Sequence, residues 1–128
     1  MQINPFLMFE GRCQEAIDLY LSLFPDSAVL DIKRFPPGQP NEGKVMLARI
    51  TLAGQTIQCN DSPVKHAFTF TPAMSLFVTC DSEAELDRLA AALSEGGKFL
   101  MPVGHYGFSR KFAWLDDRFG VSWQINLP

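Results

Sequence analysis

The apolar pattern of this chain runs through the same order of elements twice, and that repeat limits the fold more than any single segment does. From Ile3 to Asn60 the pattern reads strand, helix and three strands; from Ala73 to Leu127 it reads strand, helix and three strands again. Hairpin glycines Gly54 and Gly120 stand 66 positions apart, and helix-face residues Ile17 and Leu86 stand 69 apart. A lone unit of this kind covers one sheet face with its helix and leaves the other bare. Two units placed edge to edge give one long, curved mixed sheet with both helices on the outer face, and strand twist bends the inner face into a trough. The expected fold is α+β, made of paired βαβββ modules in a single domain 1–128: a first module at 1–62, a connector at 63–72 and a second module at 73–128.

Local signals place the elements. Cys13, Ala16, Ile17, Tyr20, Leu21 and Phe24 recur at i, i+3, i+4 and i+7, one face of a helix that Pro25-Asp26 stops. Ser82 followed by Glu85 has the form of a capping box opening the second helix, whose apolar face is Leu86, Leu89, Ala90 and Leu93 and which Gly96-Gly97 ends. Gly54-Gln55 reads as a hairpin turn. The connector, SPVKHAFTFTP, has prolines near both ends and no helical period.

Bulk properties exclude several classes of function. The formal charge is −3 and the basic residues are scattered, whereas nucleic-acid binding needs a concentrated basic face. No apolar run approaches the length of a membrane span, and the N-terminus lacks the basic and apolar regions of a signal peptide. The three cysteines, Cys13, Cys59 and Cys80, form neither a disulfide framework nor a Cys-x-x-Cys zinc pattern, the usage of a reducing cytoplasm.

Strand alternation assigns the candidate site. With Val121, Trp123 and Ile125 under a helix, Ser122, Gln124 and Asn126 face the trough; with Ile57 and Cys59 under the other helix, Thr56, Gln58 and Asn60 do. Met46, Ala48, Ile50 and Leu52 form the more apolar set of the third strand, which turns Val45, Leu47, Arg49 and Thr51 inward. The first strand contributes Asn4, Phe6 and Met8. Apolar walls with sparse polar groups suit a small molecule. The predicted ligand-binding residues are Phe6, Met8, Arg49, Thr51, Gln58, Asn60, Ser122 and Gln124. Arg49 there needs a partner, either an anionic ligand or a carboxylate from Asp31 or Glu42. Two further groups are candidates for acid–base chemistry: His105 in a glycine-rich loop, and Asp61 just past the fourth strand as a rim carboxylate.

Four segments, PFLMFEGRCQEAIDLYLSLFPDS, HAFTFTPAMSLFV, EGGKFLMPV and YGFSRKFAWLDDRFGVSWQINL, cover nearly the whole chain; the most specific piece is Asp117-x-Phe119-Gly120-x-x-Trp123. Together they resemble the PhnB-like family, catalogued as 3-demethylubiquinone-9 3-methyltransferase, of the vicinal oxygen chelate (glyoxalase, bleomycin resistance, dioxygenase) superfamily. The resemblance implies a side-by-side or module-exchanged homodimer. It also implies metal ligands on the inner strands, which here fall on Asn4, Gln58 or Asn60, Ser75 and Gln124, none of them His, Cys or carboxylate. Neutral amides bind divalent transition metals poorly, so the expectation is a small-molecule-binding protein with no catalytic metal and no cofactor. Rival expectations are a metal-dependent enzyme of the superfamily using residues such as His105 or Asp61, a pure assembly module, and the methyl transfer named in the family label. For that last chemistry no glycine-rich strand-to-helix turn is present.

Overall fold

The computed structural model describes residues 1–128. It contains ten elements: β1 (Phe6–Phe9), α1 (Cys13–Leu23), β2 (Ala28–Arg34), β3 (Val45–Leu52), β4 (Gln55–Asp61), β5 (Leu76–Thr79), α2 (Glu83–Ser94), β6 (Lys98–Gly104), β7 (Lys111–Asp116) and β8 (Ser122–Leu127). The fold is α+β, with βαβββ occurring twice. Hydrogen bonding divides the strands into two four-stranded sheets, β1-β4-β3-β2 and β5-β8-β7-β6, rather than the one long sheet the pattern suggested. Each helix with its four strands already encloses a core of its own. The chain separates into unit 1, Met1–His66, and unit 2, Ala67–Pro128.

In unit 1, α1 packs on β3 and β4. Cys13, Ala16, Ile17 and Tyr20 of the helix are buried with Ala48, Ile50, Ile57 and Cys59 of the strands. The helix has Arg12 at its N-cap and no capping bond from that side chain. A distant residue supplies the cap instead. Asp61 Oδ1 accepts the backbone N–H groups of Gly11 (2.7 Å) and Cys13 (2.9 Å), and Oδ2 accepts that of Val45 (3.1 Å). A carboxylate there also opposes the positive end of the helix dipole.

The face assignment for β3 is right at one end and reversed at the other. Ala48, Ile50 and Leu52 are buried, but Met46 is exposed and Val45 is buried. The cause is a β-bulge: Lys33 pairs with Leu47 while the next residue, Arg34, pairs with Val45, so Met46 is an extra residue and the alternation inverts beyond it. The β3–β4 hairpin also turns one residue earlier than expected. Ala53 and Gly54 both have positive φ, 53 being the strained position because alanine carries a Cβ.

In unit 2, α2 lies on β6, β7 and β8. Ser82 caps it, its Oγ accepting from Glu85 N at 3.1 Å, and Glu85 returns to the N–H of Asp81 at 3.1 Å. Leu86, Leu89, Ala90 and Leu93 bury against Ala113, Leu115, Trp123 and Ile125. The β7–β8 turn is organised by a second buried carboxylate. Asp117 Oδ1 accepts from Phe119 N and Val121 N, and Oδ2 accepts the indole N–H of Trp123 at 2.9 Å.

Candidate functional site

Each sheet has one face under its helix and one face free of it, and the strand registers set the second face out in rows. Gln58 lies between the buried Ile57 and Cys59, so its side chain stands on the helix-free face of unit 1; Gln124, between the buried Trp123 and Ile125, does the same in unit 2. Across the strands of unit 1 the row reads Phe6, Gln58, Arg49, Asp31. Across unit 2 it reads Phe77, Gln124, Trp114, Met101. The two rows are equivalent in the repeat, and in each a glutamine amide stands beside a phenyl ring.

The residues predicted from the sequence fall into two groups. Phe6, Met8, Thr51, Gln58 and Asn60 lie on the helix-free face of unit 1, and Gln124 on that of unit 2. Asn60 has a buried side-chain oxygen with no hydrogen-bond partner, an unmet acceptor of the kind that costs stability until a donor arrives. Arg49 and Ser122 are on these faces but already engaged, as is Thr51, whose Oγ1 accepts from Ala28 N at 3.1 Å. Arg49 holds Asp31, directly across the strand pair, at 2.6 and 2.8 Å, and this ion pair raises the guanidinium pKa. Glu42, the other suggested partner, instead accepts from Gly38 N. Ser122 is 2% exposed; its Oγ accepts from the Trp114 indole N–H at 2.9 Å and pairs with Ser75 Oγ at 2.6 Å. That leaves Ser122 little to offer a ligand.

Of the two acid–base candidates, Asp61 departs from its expected place and His105 lies in the loop expected for it. Asp61 lies within β4, buried at 2% exposure, and both its oxygens are occupied by backbone donors. It is a structural clamp, not a rim carboxylate. His105 is exposed in the β6–β7 loop, where Nδ1 lies 3.4 Å from the carbonyl oxygen of Arg110.

The residues that the resemblance placed at metal-ligand positions, Asn4, Gln58 or Asn60, Ser75 and Gln124, are neutral amides and a hydroxyl, a donor set that does not fit a divalent transition metal. Opposite the two glutamine amides stand Phe6 and Phe77, and Ser75 is tied to Ser122. Nowhere does the chain bring together three or more His, Cys, Asp or Glu side chains in a metal-binding group. A nucleotide-type methyl donor is no better served. Each sheet has a single parallel strand pair in place of a doubly wound parallel sheet, and the turns into α1 and α2 lack the glycine-rich phosphate cradle. A cleft of about 460 Å³ opens beside the N-terminus of α1. Its charges are spent internally: Arg12 meets Glu15, Lys44 donates to Gly11 O, Glu10 accepts from His66 N, and Asp61 accepts from Gly11 N and Cys13 N.

Sequence reasoning missed the aromatic residues of unit 2. Phe112 and Trp114 share the face of Gln124, and Tyr106, Phe108 and Phe77 gather around Phe112 with ring centroids 4.9–6.5 Å away. The alternation in KFAWLD was the available signal, because Phe112 and Trp114 are two apart and the Ala113–Leu115 set is clearly core.

This architecture is that of the glyoxalase and bleomycin resistance folds: a glyoxylase/bleomycin resistance protein/dioxygenase domain from Frankia sp. EAN1pec matches with TM-score 0.66 at 16% identity, over 99% of this chain and 90% of that one. Much nearer are a putative 3-demethylubiquinone-9 3-methyltransferase, PhnB protein, from Bacillus cereus and protein PA1353 from Pseudomonas aeruginosa. The first is 50% identical with TM-score 0.96 over the whole of both chains; the second is 30% identical with TM-score 0.86 over 99% of this chain and 97% of that one. Protein YjdN of Escherichia coli is 25% identical over 99% of this chain and 95% of its own length. The 3-demethylubiquinone-9 3-methyltransferase family profile matches residues 1–126, and the chain belongs to that PhnB-like family.

Proposed function

We propose that the protein is a small-molecule-binding member of the PhnB-like family that works without a catalytic metal. The observation that carries this is the pair of equivalent rows in which Gln58 faces Phe6 and Gln124 faces Phe77. At these places phenyl rings and amides can hold an uncharged molecule by contact and hydrogen bonding, and offer a divalent ion almost nothing. The unpartnered oxygen of Asn60 supplies one acceptor for a ligand N–H or O–H. The engagement of Arg49 by Asp31 favours an apolar, hydrogen-bonding ligand over an anionic one. The protein acts as a homodimer in the cytoplasm on this proposal. Exposed apolar residues such as Met74 at 69% and Phe68 at 63% speak for pairing, and three free cysteines for a reducing compartment.

Metal analysis of the purified protein, with melting curves taken with and without a chelator, tests the metal-free proposal. Substoichiometric metal and an unchanged melting temperature are expected. One equivalent of zinc, nickel or manganese, whose removal lowers the melting temperature, would overturn it in favour of a metal-dependent enzyme. No helix is long and apolar enough to cross a membrane.

A further inference from the structure

The two equivalent rows differ at one end, and that difference bears on what the protein binds. In unit 1 the row closes with the Arg49–Asp31 ion pair. In unit 2 the same places hold Trp114 and Met101, and the adjoining row carries Phe112 beside Asn126. Charge on the helix-free face of unit 2 is confined to its far end, where Asp116 pairs with Ser122 on one side and Lys98 on the other. The two cations nearest this surface are both engaged: Lys111 reaches Asp87 of α2 at 2.8 Å, and Arg110 donates from Nε to Pro128 O at 3.2 Å.

On this apolar ground the rings are set in a fixed geometry. Phe108 meets the buried Phe112 edge-on with centroids 4.9 Å apart, and Tyr106 meets it edge-on at 6.2 Å. The Tyr106 hydroxyl donates to Pro102 O, which fixes that ring. Tyr106 and Phe108 are near-parallel at 16° with centroids 6.2 Å apart, too close for a third ring to lie between them, since two stacking distances come to about 7 Å. A further ring must therefore add to the outer faces. Phe108 at 63% and Phe77 at 57% exposure present them, and the Gln124 amide between Phe77 and Trp114 offers both a donor and an acceptor.

Resting on the small-molecule reading above, we infer that the ligand is an uncharged planar aromatic molecule bearing a hydrogen-bonding substituent, bound on the helix-free face of unit 2. Stacking on Phe77 and Phe108 recognises its ring, and Gln124 its polar group. Aliphatic chains of equal area gain the burial but not the ring–ring term, worth roughly three- to ten-fold in affinity per aromatic contact.

The test titrates the full-length protein with 1-N-phenylnaphthylamine, an uncharged aromatic dye, and measures 1-decanol both by calorimetry and as a competitor. Variants Phe108→Leu, Phe77→Leu and Gln124→Ala are compared with Val64→Ala, an exposed apolar position in unit 1. The expected result is saturable dye binding, weakened about three- to ten-fold by either Phe→Leu change and by Gln124→Ala, unaltered by Val64→Ala, and weakly displaced by decanol. Decanol that binds as tightly as the dye, or dye binding indifferent to both Phe→Leu changes, overturns the aromatic assignment and leaves small-molecule binding standing. Saturable binding of neither compound overturns both. Melting temperatures of the variants separate lost contacts from lost folding.

Discussion

Two aspartates illustrate how little a residue type says about its role until its neighbours are known. Asp61 and Asp117 are each buried and each answer three donors, the first at the start of α1 and the second in the β7–β8 turn. Removing either leaves buried N–H groups unpaired, at a cost of about 1–3 kcal/mol per lost partner. Asp61→Ala should therefore lower stability by at least about 3 kcal/mol, read as the shift of the urea midpoint, while Asp61→Asn recovers part of it. Had Asp61 instead been an acid–base group, Asp61→Ala would leave the midpoint nearly unmoved. Cys80 supports a pH prediction. Burial, then Glu85 and Asp81, push its thiol up to about 11 from the ordinary 9.0. The folded state thus holds this proton more tightly than the unfolded chain, so the thiol's contribution is complete below pH 9 and is lost as pH rises toward about 11. Cys80→Ala should flatten the fall of the melting temperature across that window; an unchanged alkaline limb would show that another group governs it. The Asp61 partnership is not legible in the sequence, because Asp61 lies 48 positions from the helix end that it caps. Ser122 likewise reads as a free hydroxyl until Trp114 and Ser75 are seen beside it.

Among elements, the period of the apolar residues was enough to locate both helices and all eight strands in order, since a buried face repeats whatever the partner. Periodicity fails where the backbone gains a residue. The bulge at Met46 exchanged the faces of Val45 and Met46, and nothing in KVMLARITLA announces it. Gly97 read as part of a helix stop; the structure gives another reason for it, since a Cβ there would come within 2.0 Å of the Asp116 carbonyl oxygen. The β3–β4 hairpin offers a test of turn chemistry. Both central residues have positive φ, Ala53 at 49° and Gly54 at 82°, a conformation that asparagine–glycine fits better than alanine–glycine. Ala53→Asn should stabilise the protein by about 0.5–1 kcal/mol in thermal or chemical unfolding. A loss of stability would mean that the Ala53 N–H to Ser27 Oγ bond, 3.2 Å long, is disturbed by the larger side chain.

Taken whole, the molecule is a duplicated unit, and the repeat in the sequence carried the fold class by itself. What the repeat could not carry was the hydrogen-bonded division into two sheets or the identity of the apolar surface of unit 2, since both depend on register. The exposed apolar residues Phe68 and Met74 bear on assembly. Sedimentation should return a species of twice the 14.3 kDa chain mass at micromolar concentration, and a purely monomeric boundary would dismiss the proposed dimer. Duplication also leaves a route for exchange between the copies. One copy keeps a clasp of opposite charges where its sibling has indole and thioether, so two substitutions, Arg49→Trp with Asp31→Met, would give the first copy the sibling's greasy rung. A protein carrying both changes should gain weak dye binding on the first unit, short of a full second site because the Tyr106, Phe108 and Phe112 rings belong to unit 2.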